Sequence, residues 1–191
     1  MEIRFNFNLE KALHAMAYIV DRLGALDKVK LTKLVYIADR DHFLRCGHPI
    51  TGDRQCAMQY GPVPSDCLHA LNGEASPDAD AAFKYLHVDD NRVMLKEKPT
   101  SDWLTTEEKQ TLDATLAKYG RTGTWILRDM THEFPEFKEF YRAGTSTTIP
   151  YEAILRIYKG EEGFRYNRPV LDEAIISHMT FPFTAPNDSD L

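Results

Sequence analysis

Two stretches near the start of the chain carry apolar residues every three or four positions, the spacing of an α-helix. In the first, a helix is predicted from a cap at Asn8 through Arg22, and Gly24 ends it. Its apolar positions are Leu9, Leu13, Met16, Ala17, Val20 and Leu23. The second stretch predicts a helix over Lys28 to Arg45, with Gly47 as its stop. Because apolar residues occur on more than one face of this helix, we expect it to be central.

The next part of the chain is punctuated by proline and glycine. His48 to Pro64 predicts a loop with a short extended piece near Cys56 to Tyr60. A short helix is expected through Leu71, with Ser65 as its cap. Phe83 to Val88 and Arg92 to Lys96 resemble strands on either side of an Asp-Asp-Asn turn, which predicts a small antiparallel hairpin.

Helical signals return in the second half of the chain. Thr105 and Glu108 have the spacing of a capping box, and the helix that they open is expected to end at Gly120. Another helix is predicted over Thr124 to His132. It should break before Pro135, because the residue that precedes a proline disfavours helical geometry.

Two more short helices are predicted near the C-terminus, over Tyr151 to Tyr158 and Val170 to His178. Residues 181–191 contain proline and a polar run, so we expect a flexible tail. No linker divides residues 1–180, which should form a single domain. The pattern as a whole predicts an α+β fold that is mainly α, with about seven helices around a central helix and one small antiparallel β-hairpin.

Composition narrows the possible functions. The 191 residues include 23 Lys and Arg against 29 Asp and Glu, a formal net charge of −6. Because nucleic-acid affinity depends on basic contacts to phosphates, no nucleic-acid partner is expected. The chain has neither a long apolar span nor a secretory leader pattern, so we expect a cytoplasmic protein without membrane contact.

Few residues suggest catalysis. Asp39, His42 and Cys46 are spaced so that three potential zinc ligands could share one helix face, which would suit a metal-dependent hydrolase. The alternative interpretation is two solvated helix residues and a packing cysteine. Cys67 lies near a helix start, but His69 would point to a different side and is poorly placed as its base. No nucleotide-binding or hydrolase motif occurs, so no cofactor, metal or catalytic residue is predicted.

Tyr60-Gly61-Pro62-Val63-Pro64 forms a rigid corner, since two prolines fix φ and glycine permits unusual geometry. It is either a structural corner or a preformed ridge for a partner. Tyr36 and Asp39 can share a polar helix face and support the following loop by hydrogen bonds. His132 ends a helix, where it is interpreted as a capping or buried polar residue, although that position would also favour its protonated form.

Several motifs follow one another in a defined order. They are Lys30 to Asp39, Phe43-Leu44, Gly47 to Asp53, Ala57 to Val63, Leu104 to Glu108, Tyr119-Gly120 and Thr131-His132. Their order and spacing resemble the SocA-like antitoxin domain, also called the Panacea domain, over roughly Leu9 to His178. The chain departs from the family pattern at Phe137, where a tryptophan is expected.

The resemblance implies a bacterial or phage-associated toxin–antitoxin system, in which this domain neutralises a cognate toxin encoded nearby by direct contact. Some members act as adaptors that deliver the toxin to a ClpXP-type protease. Neither activity needs a catalytic residue, so the chain is not expected to be an enzyme, and no oligomeric state is predicted. The resemblance marks nine candidate partner-binding or motif positions: Lys30, Lys33, Tyr36, Asp39, Tyr60, Gly61, Pro62, Val63 and His132.

Two alternatives stay open at this point. One is the metal-dependent hydrolase that would use Asp39, His42 and Cys46. The other is a phage-encoded interaction protein that acts on a host factor, which differs from an antitoxin in its partner rather than in its binding chemistry.

Overall fold

The computed structural model describes residues 2–74, 84–99, 103–159 and 179–180, which form seven helices and eight short strands. The helices are α1 (Leu9–Leu23), α2 (Lys28–Cys46), α3 (Ser65–Leu71), α4 (Thr106–Tyr119), α5 (Thr124–His132), α6 (Pro135–Phe140) and α7 (Tyr151–Tyr158). The strands are β1 (Glu2–Ile3), β2 (Leu26–Asp27), β3 (Gln55–Met58), β4 (Gly61–Pro64), β5 (Leu86–Asp89), β6 (Arg92–Leu95), β7 (Thr147–Thr148) and β8 (Met179–Thr180). The fold class is α+β and mainly α, as predicted.

Helix α2 lies at the centre of the fold. Residues 31–40 are all buried, and α1, α3, α4, α5 and α7 pack around them. The prediction of a central helix is confirmed. A helix that is surrounded by others must carry buried residues on every face, and the apolar residues that recur around α2 meet this need.

The predicted helix caps are mostly present. The Asn8 side chain accepts a hydrogen bond from the Lys11 amide at the start of α1. At the start of α4, Thr105 and Glu108 form the reciprocal capping box. Helix α2 is capped by Asp27 and ends before Gly47, which has a positive φ of 84°. These signals are local, so they could be found in the sequence.

The proline-rich segment after α2 forms a second hairpin rather than a loop with one extended piece. Strands β3 and β4 pair antiparallel, and β7 adds to the other side of β3. Strand β4 is therefore an edge strand, where Pro62 and Pro64 are tolerated because one side needs no amide donor. The predicted hairpin, β5 with β6, is confirmed, and β2 extends it.

Helix α3 starts differently from the prediction. Ser65 is its first residue rather than its cap, and Pro64 at the cap position offers no side-chain hydrogen bond. Instead the carboxylate of Asp53 accepts from the amides of Asp66, over 2.9 Å, and Cys67, over 2.7 Å. A residue 12 positions before the helix thus performs the capping, which sequence rules for local caps do not detect.

Helix α6 was not predicted as a helix, although the break before Pro135 is present. Pro135 is the first residue of α6, a position that has no need of an amide donor. The predicted helix over Val170 to His178 and the tail over 181–191 lie outside the described residues. The single domain over 1–180 stays a prediction.

Candidate protein-binding surface

Tyr36 belongs to a buried network of polar groups. Its hydroxyl donates to Glu136 Oε1 over 2.9 Å, and the Arg40 guanidinium lies 3.2 Å from the same oxygen. The Tyr158 hydroxyl donates to Glu136 Oε2 over 2.7 Å. Glu136 is completely buried, so these hydrogen bonds satisfy its carboxyl oxygens, and the network connects α2 with α6 and α7. Tyr36 was predicted to support the following loop; it binds Glu136 instead.

Asp39 holds the segment that leads into the β3–β4 hairpin. Its Oδ1 accepts from the amides of Ile50 and Thr51, each over 3.0 Å. Its Oδ2 accepts from the Thr51 hydroxyl and from Gln55 Nε2. Burial raises the pKa of the Asp39 carboxyl to about 7, against the opposing effect of the hydrogen bonds from Thr51. The prediction that Asp39 supports the following loop is confirmed.

The two motif lysines of α2 bind backbone carbonyls. Lys30 Nζ donates to Gly120 O over 2.8 Å, which connects α2 with the end of α4. Lys33 Nζ donates to Pro62 O over 2.7 Å, which anchors strand β4 on α2. Because Lys33 is buried, desolvation lowers the pKa of its ammonium to about 7. Both lysines therefore have structural contacts.

The β3–β4 hairpin packs tightly on the end of α5. Gly61 has a φ of +97°, and a Cβ built on it would lie 2.8 Å from Thr131 Oγ1 and 3.0 Å from His132 Cδ2. The His132 ring stacks on Phe137, with centroids 4.6 Å apart and planes at 26°. Phe137 therefore supplies an aromatic stacking partner at the position where the resemblance led us to expect tryptophan. Desolvation lowers the pKa of His132, which opposes the protonated form that a helix end would favour.

Next to this junction, four large apolar side chains are exposed to solvent. Tyr60 at the hairpin turn is 50% exposed, and Trp125, Ile126 and Met130 on α5 are 58%, 62% and 40% exposed. The Tyr60 and Trp125 ring centroids are 6.3 Å apart. We call these four residues the apolar patch. Sequence reasoning selected Tyr60 but missed the three residues of α5.

A signal for two of the three missed residues is present in the sequence of α5. Leu127 and Thr131 are its buried residues, which gives the helix one inner face at positions four apart. Ile126 and Met130 are also four apart, so they form a second apolar row beside the first. An apolar row outside the buried face predicts an exposed surface.

A cavity of about 290 Å³ opens beside Tyr60. Its apolar lining includes Met58, Val63 and Leu68, and Gly61 and Lys33 also border it. Because Tyr60 borders both features, the cavity adjoins the apolar patch. The hairpin corner is therefore a ridge between an exposed apolar surface and a concave one.

The residues of the predicted hydrolase site do not come together. The Asp39 carboxylate accepts hydrogen bonds from the segment before β3. Cys46 lies in no cluster of potential metal ligands among the described residues. His42 instead lies beside His48 and Glu108. Desolvation, together with the nearby charges of His48, Arg45 and Lys11, lowers the pKa of His42 to about 3.

Cys67 is not placed as a nucleophile. It is completely buried, and burial raises the pKa of its thiol well above the ordinary value. Its amide donates to Asp53, so the residue is part of the α3 cap. A buried, protonated thiol fits a packing role.

The family profile described as Antitoxin SocA-like, Panacea domain, matches residues 31–138, which is more than half of the chain. The chain belongs to the SocA-like antitoxin family. No curated protein and no solved structure matches it. The matched region runs from the first turn of α2 to α6, so it is shorter than the resemblance over Leu9 to His178.

The SocA-like match includes the whole apolar patch and eight of the nine motif residues, with Lys30 just before it. Of these nine, Tyr60 is exposed, while Lys30 and His132 are half-buried and the other six are buried. Among the described residues, no helix combines the length and the apolar character needed to cross a bilayer.

Proposed function

We propose that this SocA-like protein neutralises a cognate toxin by direct contact through the apolar patch. The observation that carries this proposal is the exposure of Tyr60 and Trp125, whose ring centroids are 6.3 Å apart, together with Ile126 and Met130 on the same helix as Trp125. Single exposed apolar residues are common, but a contiguous group is typical of a protein-binding surface. Tryptophan and tyrosine are also the residues that contribute most often to binding energy at interfaces.

The patch rests on a rigid support. Tyr60 comes from the hairpin that Lys33 anchors, and α5 is held against the same hairpin at Gly61. Side chains that are already positioned lose less conformational entropy on binding. The adjoining cavity offers a place for one anchoring side chain of the toxin.

This arrangement gives the motif residues a common role. Lys33, Asp39 and Gly61 fix the hairpin, and His132 fixes the end of α5 against it. Most of the motif would therefore act by shaping the surface, while Tyr60 and the exposed residues of α5 would contact the toxin. A binding role of this kind requires no catalytic group.

The test is co-expression of the chain with the toxin-like protein encoded beside it. We expect the wild-type chain to restore growth. A double variant, Trp125→Ser with Ile126→Ser, should lose rescue and weaken binding at least about 30-fold, the effect of losing about 2 kcal/mol at an interface hot spot. Trp103→Ser is the matched control, because Trp103 is 43% exposed and contacts His14 rather than the patch.

Two results would contradict the proposal. Full rescue by the double variant would place the interface elsewhere on the chain. Failure of the wild-type chain to rescue growth from any adjacent toxin-like protein would argue against the antitoxin function itself. In that case, capture of a host protein by the wild-type chain and not by the double variant would favour an interaction protein of another kind.

The amount of toxin after translation is stopped separates two modes of neutralisation. A stable complex leaves the toxin level unchanged while growth recovers. A proteolytic adaptor shortens the toxin half-life, and loss of the ClpXP-type protease would then abolish rescue.

A further inference from the structure

Three potential metal ligands meet at the junction of α2 and α4. His42 lies on α2, His48 follows Gly47, and Glu108 lies in the first turn of α4. One nitrogen or oxygen atom from each residue lies within 4.8 Å of those of the other two. The two imidazole centroids are 5.0 Å apart, with the rings nearly perpendicular.

One arrangement of the hydrogen bonds around His42 leaves its Nε2 free. The Thr111 hydroxyl donates its single proton to Glu107 O over 3.0 Å. In that arrangement Thr111 Oγ1 accepts from His42 Nδ1, which lies 3.0 Å away, and from the Arg45 guanidinium. With the proton on Nδ1, the lone pair is on Nε2.

His48 is in the same tautomer. Its Nδ1 lies 3.3 Å from Pro49 O, and a carbonyl oxygen can only accept, so Nδ1 carries the proton. His48 Nε2 then has the lone pair. In both rings Nδ1–H donates to an oxygen and Nε2 is unprotonated, which is the usual arrangement of metal-ligating histidines.

Glu108 is oriented by its own hydrogen bonds. Its Oε2 accepts from the Thr105 amide over 2.8 Å, and its Oε1 is 2.7 Å from Lys11 Nζ. The Glu108 side chain is completely buried, whereas that of Lys11 is 24% exposed. The long side chain of Lys11 can therefore move into solvent, and a cation bound in its place would keep the carboxylate neutralised.

We propose that His42, His48 and Glu108 bind a divalent transition-metal ion of the zinc type, which replaces Lys11 as the partner of Glu108. The ligands are Nε2 of each histidine and Oε1 of the glutamate, a donor set that zinc accepts in proteins. A water molecule would supply the fourth ligand. Since the ligands come from α2, the following loop and α4, the ion would fix these three parts together.

The test is binding of Zn²⁺ to the purified full chain in competition with a chromophoric chelator. We expect one equivalent to bind, and Co²⁺ in its place to give the visible absorption of a four-coordinate site. His48→Ala should weaken binding at least about tenfold, since it removes a ligand from the half-buried loop. Lys11→Gln should strengthen binding, because it removes the competing cation.

His87→Ala is the control, because His87 is exposed on β5 and lies outside the cluster. The proposal is overturned if the wild-type chain binds no Zn²⁺ in a saturable manner. It is also overturned if His87→Ala weakens binding as much as His48→Ala, which would show surface binding only. If His48→Ala does not fold, unchanged affinity in Lys11→Gln overturns the proposed exchange.

Discussion

Gly61 and His132 are packed so closely that a Cβ on the glycine would lie 3.0 Å from the Cδ2 atom of the imidazole. The contact joins the β3–β4 hairpin to the end of α5, the two elements that carry the apolar patch. Glycine is required here for two reasons: its φ of +97°, and the lack of space for any side chain. The patch therefore depends on a residue that is itself buried.

Alanine substitutions at Gly61 and at a second glycine can separate the effect of the positive φ from the effect of the close packing. Gly61→Ala should lower the free energy of unfolding by about 2 kcal/mol or more, because it adds a clash to an unfavourable φ. Gly144→Ala is the matched control: Gly144 has a φ of +75°, and its Cβ would meet nothing within 4 Å. It should cost about 1 kcal/mol. Equal losses in urea denaturation would show that the close packing contributes nothing.

Removal of the Asp39 carboxylate should destabilise the chain strongly. In Asp39→Ala, the buried amides of Ile50 and Thr51 lose their acceptor, which should cost about 3 kcal/mol in total. Asp41→Ala on the same helix is the control, since Asp41 is half-buried and its partner Arg40 keeps Glu136. Denaturant unfolding at pH 8 gives both values. A loss in Asp39→Ala no larger than in the control would contradict this role.

Lys33 should make stability depend on pH. Its pKa falls from 10.5 to about 7 in the folded chain, so between these values the unfolded chain binds more protons. The free energy of unfolding therefore rises with pH in this window, and the cost of the buried charge is fully present below pH 7. Between pH 7 and pH 9, the free energy of unfolding of the wild-type chain should rise by about 2 kcal/mol relative to that of Lys33→Met.

Denaturant unfolding of both chains at the two pH values checks this expectation. Lys98→Met, which removes an exposed lysine, controls for the change in net charge. A constant difference between the wild-type chain and Lys33→Met across this window would mean that Lys33 does not titrate there.

Loss of the buried Glu136 network should lower the free energy of unfolding far more than loss of an exposed ion pair nearby. Glu136→Ala removes the acceptor of Tyr36 and Tyr158 and leaves the buried Arg40 with fewer partners, which should cost about 3–5 kcal/mol. Glu139→Ala on the same helix breaks an exposed pair with Arg156 and should cost about 0–1 kcal/mol. Thermal unfolding compares the two. Similar losses would argue against a stabilising network.

Features that depend on neighbouring residues could be predicted from the sequence. The Asn8 cap, the capping box of Thr105 and Glu108, and the central position of α2 are examples. Each depends on groups within a few residues of one another or on the periodicity of one helix. The order of motifs likewise pointed to the SocA-like family, which the match over residues 31–138 confirms.

Features that join distant parts of the chain were decided by the tertiary structure. Asp53 caps α3 from 13 and 14 residues before the amides that it binds, and Tyr36 meets Glu136 across 100 residues. His42 and Glu108 likewise come together only because α2 packs against α4. A hydrogen bond or a ligand cluster requires atoms within a few ångströms, and spacing along the sequence does not determine that distance once the chain has folded back on itself. The sequence therefore determined most of the described helices and the family, while packing around α2 decided which side chains became partners and which were exposed in the apolar patch.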